Sequence, residues 1–365
     1  MMMAGSLKPH RRGLVVGKFS PLHRGHELVI QQAIEQCDEV MVLGYSQPDF
    51  PGCDRAARTR WVAARFPSVR SVQVDDETVR LLCLQQGLAF RAIPDNRAPD
   101  AEQQDWLVWL LGEVLHWQPD AMLASEHYLG PTTERMAHAW TQPVTPVMVD
   151  IERQHHPISA TRIRQDVHAH REWLHPEVYR SFVPRVVILG GESTGKTTLA
   201  AALAEAWQTC WVPEYGRECW ELRGGQLTLE DLIDIGTEQV AREEAMHRQA
   251  HRVLFCDTSP LTTLGYAGWM FEAQPPSLVQ QAQRPYDLAV LCEPDFGFVQ
   301  DGTRQNEDFR DRQQAWYEQQ LQDGATPWIR ASGSLPERID QVRLALAPQA
   351  VWSRSVLQNQ PNGAS

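Results

Sequence analysis

Short apolar runs alternate with stretches of helical periodicity along most of the chain. Gly13 to Gly17, Glu39 to Tyr45, Val69 to Val74, Asp120 to Ala124 and Val144 to Val149 read as strands. Between them, Leu28, Ile30, Ala33 and Ile34 sit near helical spacing on a segment running from His23 to Cys37. Asp54 to Phe66, rich in arginine, and Glu102 to Leu115 read as further helices. Residues 165–184 hold a short helix, Pro176 and Pro184, and then the alternation begins again. Val186 to Leu189, Thr209 to Val212, Val253 to Asp257, Asp287 to Cys292 and Trp328 to Arg330 predict strands. Thr198 to Trp207, Leu227 to Arg248 and Leu335 to Ala347 predict helices, the last stopped by Pro348. Such alternation implies two α/β domains, each a doubly wound parallel sheet with ligands at the carboxyl ends of its strands. The expected boundaries are a disordered leader over 1–12, domains over 13–175 and 185–347, a linker over 176–184 and a loose tail over 348–365.

A length of 365 residues gives each half enough chain for its own core. The net charge of −12 argues against a nucleic-acid-binding surface but leaves room for local basic pockets. No run of about 18 apolar residues suggests a membrane span. Met1 to Arg12 has basic residues with no apolar stretch behind them, so no secretory signal is expected. The seven cysteines are scattered without C-x-x-C spacing and read as reduced thiols of a cytoplasmic protein.

The second half carries the sharpest signal. After the strand ending at Leu189, Gly190-Gly191-Glu192-Ser193-Thr194-Gly195-Lys196-Thr197 fits G-x-x-x-x-G-K-[ST], and Thr198 continues into a helix. Strand, glycine-rich turn and helix in that order make a phosphate-binding loop. The glycines let backbone N–H groups close round phosphate oxygens, Lys196 would reach the β- and γ-phosphates, and Thr197 would hold Mg²⁺. Asp257 ends an apolar strand, the position from which a carboxylate assists Mg²⁺. Glu214 and Arg217 follow another strand, with Tyr215 between them as a further substrate-binding candidate, and would face the substrate side of the loop, or else form a surface turn with ordinary charges. Arg304, Arg310 and Arg312 come after a late strand. They suit a mobile lid over transferring phosphate, or else a solvated charged helix among Glu307, Asp308 and Asp311.

In the first half, His23-Arg24-Gly25-His26 opens a helix after Gly17-Lys18-Phe19. Two histidines three apart share one side of the first turn and suit anion binding, with Gly25 leaving room for a ligand near the backbone. A metal site would need a third ligand, and none is nearby; ordinary helix-start polar residues are the bland alternative. Downstream, Ile158-Ser159-Ala160-Thr161-Arg162-Ile163-Arg164 is another helix start, with Ser159 as N-cap and Arg164 over a turn later. The early G-x-F-x-P-x-H-x-G-H and the late I-S-x-T-x-x-R together resemble nucleotidyltransferases of the Rossmann-like H-x-G-H superfamily. The resemblance implies that they bracket the triphosphate of ATP, with Ala160 standing where that motif often has Ser. Trp106 and Trp109 are i, i+3, either core residues or a stacking surface for an aromatic ligand ring.

The span 13–347 resembles the NadR family. The closest matches are Gly17-Lys18-Phe19 with His23 to His26, Trp106-Leu107-Val108-Trp109, Ile158 to Arg164 and Val187 to Ser193. Glu214 to Arg217, Asp257-Thr258 with Thr262-Thr263, and Asp301 to Arg304 complete the set. Some members carry an N-terminal DNA-binding domain; this chain is expected to lack it, and with it the repressor role. The resemblance implies two reactions. The second domain would phosphorylate ribosylnicotinamide with ATP. The first would join nicotinamide mononucleotide to AMP from a second ATP, giving NAD and pyrophosphate. By the same resemblance Lys18, His23, His26 and Arg164 would stabilise the leaving pyrophosphate, and Lys196 with the lid arginines the γ-phosphoryl. Asp257 would support Mg²⁺, and Glu214, or else Asp257, would orient or deprotonate the ribose hydroxyl. Rival readings are a fused pantetheine-phosphate adenylyltransferase and dephospho-coenzyme A kinase, and a NAD-sensing regulator with little turnover. Nucleic-acid and membrane partners are not expected; a homo-oligomer stays open.

Overall fold

The computed structural model describes residues 8–150, 152, 154–295, 297 and 306–347. The chain divides into two compact units between Tyr179 and Arg180.

In the first unit the order is β1 (His10–Gly17), α1 (Arg24–Gln36), β2 (Cys37–Gly44), α2 (Arg55–Arg65), β3 (Arg70–Gln73) and α3 (Asp76–Gln86). Then come α4 (Asp100–Trp109), β4 (Ala121–Ala124), α5 (Leu129–Trp140), β5 (Thr145–Met148), α6 (Ala160–Gln165) and α7 (Pro176–Tyr179). The sheet order is β3-β2-β1-β4-β5, every neighbour parallel. Leu14, Met41, Leu43 and Met122 are fully buried, as strands covered on both faces must be. Helix starts are set by Asp54 and Asp75, whose carboxylates accept from Ala57 N and Thr78 N. Strand order reverses at β1 and β4, which opens a crevice at their carboxyl ends. His10 to Arg12, expected within a disordered leader over 1–12, instead form the start of β1. Lys8 donates to Ile34 O and Cys37 O, which ties the incoming chain to the end of α1. Residues 1–7 lie outside the described residues.

The second unit runs β6 (Arg185–Leu189), α8 (Lys196–Trp207), β7 (Trp211–Val212), α9 (Tyr215–Leu222), α10 (Leu229–His247) and β8 (Leu254–Asp257). It continues with α11 (Pro260–Phe271), α12 (Pro276–Ala282), β9 (Leu288–Cys292), α13 (Glu307–Asp323), β10 (Trp328–Ala331) and α14 (Leu335–Leu346). Its sheet is again all parallel, in the order β10-β9-β6-β8-β7. β6 lies between β8 and β9, so the loop that follows it opens at the switch point. The segment 176–184, expected as a linker, forms α7 and a 3₁₀ turn over Arg180–Phe182. No described helix is long and apolar enough to cross a membrane.

Candidate active sites

In the first unit, a cavity of about 440 Å³ opens at the crevice and is lined by Lys18, His23, His26, Ser159, Thr161 and Arg164 among others. The geometry starts at the end of β1. Phe19 is 1% exposed, and its ring lies so close that a Cβ at Gly17 would come within 2.9 Å of it. Gly17 therefore makes room for the Phe19 ring, which in turn meets His26 edge-on, centroids 5.1 Å apart. His23 is the N-cap of α1. Its Nδ1 accepts from Gly25 N at 3.1 Å, and His26 Nδ1 accepts from His23 N at 3.4 Å. The two rings stack with centroids 3.8 Å apart. With both Nδ1 atoms accepting, each neutral ring carries its proton on Nε2, a donor suited to phosphate oxygen. So the histidines are helix caps and cavity walls at once. A Cβ at Gly25 would lie 3.0 Å from the His23 ring, so this glycine, expected to admit a ligand, first admits that ring.

Lys18 donates to Asn96 O at 3.0 Å. Partial desolvation against the cavity wall, and then the nearby Arg164 charge, hold its pKa below the usual lysine range. Arg164 donates to Ser20 O at 2.6 Å and to Thr161 Oγ1 at 3.0 Å, with its guanidinium 3.9 Å from the Phe50 ring centroid. Ser159 caps α6 by accepting from Arg162 N at 3.2 Å. The two motifs thus meet, although they lie far apart in sequence. Sequence reasoning missed Ser125, Glu126 and Tyr128, which also line the cavity. The signal was available, since they follow β4 at the point where strand order reverses.

Trp106 and Trp109 require a correction. Each is 4% exposed within the core formed with Tyr45, Leu110 and Trp117, and neither lines the cavity. Trp106 Nε1 donates to Arg91 O at 3.3 Å, and the Arg91 guanidinium lies 5.0 Å from the Trp109 ring. Their i, i+3 spacing points both rings to the buried face of α4, so they are packing residues rather than a stacking surface.

In the second unit, a cavity of about 240 Å³ is lined by Gly190, Glu192 to Thr198, Glu214, Arg217, Trp220 and Tyr266 among others. The loop bends through left-handed backbone at Ser193 (φ 60) and Gly195 (φ 83). A Cβ at Gly190 would lie 2.8 Å from Cys292 O, and one at Gly191 would lie 2.7 Å from Arg310 O. These two glycines let β9 and α13 pack against the loop. Lys196 Nζ donates to Gly191 O at 2.8 Å, and Thr194 Oγ1 donates to the same oxygen at 2.9 Å. Thr198 stands on the cavity wall.

Asp257 is 1% exposed, and its Oδ2 accepts from Thr197 Oγ1 at 2.6 Å. Its Oδ1 is buried with no hydrogen-bond partner. An orphaned carboxylate oxygen beside a hydroxyl is what a Mg²⁺ site leaves when it takes one or two protein ligands plus phosphate and water. The donor set fits that ion. Glu214 and Asp257 both have pKa values above the usual carboxylate range, each mainly through burial, and Glu214 also through the charge of Asp257.

Three expected positions change role. Tyr215 does not line the cavity; its ring packs on the cluster of Cys219, Leu232 and Ile235, under the Arg242 guanidinium at 4.2 Å. Arg310 and Arg312 lie on the regular helix α13 rather than on a mobile segment. Arg310 is 8% exposed and pairs with Glu307 and Asp311 at 3.6 and 3.5 Å, while Arg312 lies 5.4 Å from the Phe309 ring. Arg304 lies outside the described residues. What α13 does bring to the loop is glutamine. Gln314 Oε1 accepts from Gly191 N at 3.0 Å, and Gln313 Oε1 accepts from Glu192 N at 2.9 Å. Gln313 Nε2 then reaches Tyr266 OH at 3.2 Å, and Tyr266 donates to Glu192 Oε1 at 3.1 Å.

A dinucleotide-type sheet with an H-x-G-H crevice, followed by a phosphate-loop kinase sheet, defines an enzyme class that joins nucleotidyl transfer to phosphoryl transfer. Residues 185–338 match an AAA domain family. The chain is 30% identical over 321 residues to the trifunctional NAD biosynthesis/regulator protein NadR of Escherichia coli K12, covering 80% of this chain and 71% of that one. It is 29% identical over 311 residues to the protein of the same name from Salmonella typhimurium, with the same coverage. The fold is similar to a crystal structure of NadR in complex with NR, at TM-score 0.60, 20% identity and coverage of 94% and 97% of the two chains. A second NadR structure, in complex with NAD and AMP-PNP, aligns at TM-score 0.59 and 18% identity over 95% and 98%. This chain belongs to the NadR family.

Proposed function

We propose that this enzyme works in NAD biosynthesis through two reactions. The second unit phosphorylates the 5′-hydroxyl of ribosylnicotinamide with ATP, and the first joins the resulting nicotinamide mononucleotide to AMP from ATP, releasing pyrophosphate. One observation carries the reading: a single chain of this family holds two separate cavities, one walled by the H-x-G-H histidines and one by the phosphate loop. Relatives bind NR, NAD and AMP-PNP, which correspond to the riboside substrate, the final product and an analogue of ATP. Family membership leaves the coenzyme A reading without support.

In the kinase unit, Lys196 exchanges its bond to Gly191 O for the β- and γ-phosphates and stabilises charge on the transferring group. Thr197 and Asp257 would hold Mg²⁺, which would neutralise phosphate charge. Glu214, with its raised pKa, takes the proton from the acceptor hydroxyl. Trp220 and Tyr266 line the same cavity and offer aromatic faces to the cationic pyridine ring. In the transferase unit, the Nε2–H groups of His23 and His26, with Lys18 and Arg164, hold the pyrophosphate as its bond to the α-phosphorus breaks. Both reactions are displacements at phosphorus, where positioning and charge stabilisation do most of the work.

The test is direct. The protein is incubated with ATP, Mg²⁺ and ribosylnicotinamide, and the products are resolved over time. Nicotinamide mononucleotide should appear first and NAD after it. Absence of the mononucleotide would remove the kinase assignment, and mononucleotide that never becomes NAD would remove the transferase assignment.

A further inference from the structure

Arg338 is 1% exposed, in the first turns of α14, and a buried guanidinium demands partners. Its contacts come from three separate stretches of chain. Nη1 donates to Thr194 O in the phosphate loop at 2.8 Å. Nη2 donates to Glu293 O, one residue past β9, at 2.9 Å, and lies 3.2 Å from Asp295 Oδ2. Nε donates to Gly333 O, two residues past β10, at 3.0 Å. Only a planar fork of several donors can hold all of these at once. Arg338 itself does not line the cavity, whereas Thr194, Gly195 and Lys196 do.

The contact with Thr194 O has a geometric consequence. A trans peptide is planar, with its C=O and its N–H on opposite sides. Drawing the Thr194 carbonyl toward Arg338 aims the next amide, Gly195 N–H, away from Arg338. Gly195 itself takes left-handed backbone, at φ 83. Its neighbours Lys196 and Thr197 stand on the cavity wall, so the amide is presented on the phosphate side. Gln313 and Gln314 fix the start of the loop from α13, through Glu192 N and Gly191 N. Arg338 fixes its other end.

We propose that Arg338 is a positioning residue of the kinase site. By holding the Thr194 carbonyl against the ends of β9 and β10, it presets the Gly195 amide for a nucleotide phosphate. It acts through the loop and touches no ligand. The inference rests on the phosphate-loop reading and is independent of which acceptor is phosphorylated.

The test titrates the full chain with a non-hydrolysable ATP analogue and Mg²⁺. Two binding transitions are expected, and the one weakened by Lys196→Met belongs to the phosphate loop. Arg338→Met should weaken that transition by about tenfold or more and leave the other within about twofold, as expected when one preorganised charge-assisted contact is lost. A purely structural role would lower the melting temperature and the number of loop sites per chain, while the remaining sites kept the wild-type dissociation constant. That result would overturn the proposal. If Arg338→Met leaves no loop transition at all, Arg338→Lys is measured instead. It keeps the charge but cannot span three segments, so it too should weaken the loop site; a wild-type dissociation constant there would also overturn the proposal. Failure to phosphorylate ribosylnicotinamide would count against the proposed reaction and leave this measurement unaffected.

Discussion

Thr197 donates to one oxygen of Asp257 at 2.6 Å, while the other oxygen of the same carboxylate is buried without a hydrogen-bond partner. Such an oxygen is costly unless something else approaches it. Asp257→Asn keeps the shape and can still accept from Thr197, but presents a neutral amide. Riboside phosphorylation should fall by about 10²-fold or more, and the Mg²⁺ concentration needed for half-maximal rate should rise. Formation of NAD from supplied mononucleotide should persist. An unchanged Mg²⁺ dependence would show that Asp257 has no part in holding the ion.

Glu214 gives a pH prediction with a definite sign. Its folded-state pKa is raised, first by burial and then by the charge of Asp257. A carboxyl of that kind adds stability below its unfolded pKa and loses it as pH rises through the folded value. Glu214→Gln removes the penalty. The nucleotide-free variant should therefore gain melting temperature over wild type as pH climbs above the usual carboxylate range, while losing riboside phosphorylation. A stability difference that is flat or shrinks with pH would contradict the assigned direction.

What could be read in advance followed from where the physics is local. β1, β2, β6, β8 and β9 are buried on both faces, so their apolar runs stand out without an alignment. The phosphate loop and the paired histidines carry their chemistry in consecutive residues. α13 was obscured for the opposite reason. Its exposed charges Asp308, Asp311 and Arg312 mask a buried face of Gln313, Gln314 and Tyr317 that holds the loop. Glutamine is common on any surface helix, so nothing in the sequence marks these two. Arg338 is equally silent, because its acceptors, three backbone carbonyls and the Asp295 carboxylate, are brought together only by the fold. α11 should have been found: Ser259 caps it and Pro260 opens it, but its apolar residues run all round with no single face.

The tryptophans separate packing from recognition. Trp109 is 4% exposed in the first unit's core, whereas Trp220 is half-buried on the kinase cavity. Trp109→Ala should cost about 3–5 kcal/mol of stability in the first unit. Its effects on the KM values for mononucleotide and ATP should be equal. Trp220→Ala should raise the riboside KM by up to about thirtyfold, from a cation–π contact of about 0.5–2 kcal/mol, and leave the KM for ATP in place. Urea melts and two-substrate kinetics on the same preparations would check both. A selective mononucleotide defect in Trp109→Ala would reinstate that ring as part of the site.

His23 and His26 cap α1 and are proposed as phosphate donors, and the choice of substitution can part the two roles. Each Nδ1 accepts a backbone N–H at the start of α1, so alanine would remove caps as well as donors, costing about 1 kcal/mol for each cap. Asparagine can accept the same backbone N–H through its side-chain oxygen and is a strong N-cap residue. It is shorter, however, and does not place a donor where imidazole Nε2 stands. The double variant His23→Asn, His26→Asn should melt closer to wild type than the double alanine variant. Both should lose NAD formation by about 10²–10³-fold, as expected when oxyanion-type donors are removed. Both should still phosphorylate ribosylnicotinamide, because that reaction uses the separate cavity behind Lys196, and so both should accumulate mononucleotide. Zinc chelation should leave the wild type unaffected, since the rings are proposed as hydrogen-bond donors and no cluster of three or more His, Cys, Asp or Glu suited to a metal occurs among the described residues. Wild-type NAD formation in the asparagine variant would confine the histidines to capping. Loss of NAD formation on chelation alone would return them to the metal-ligand reading.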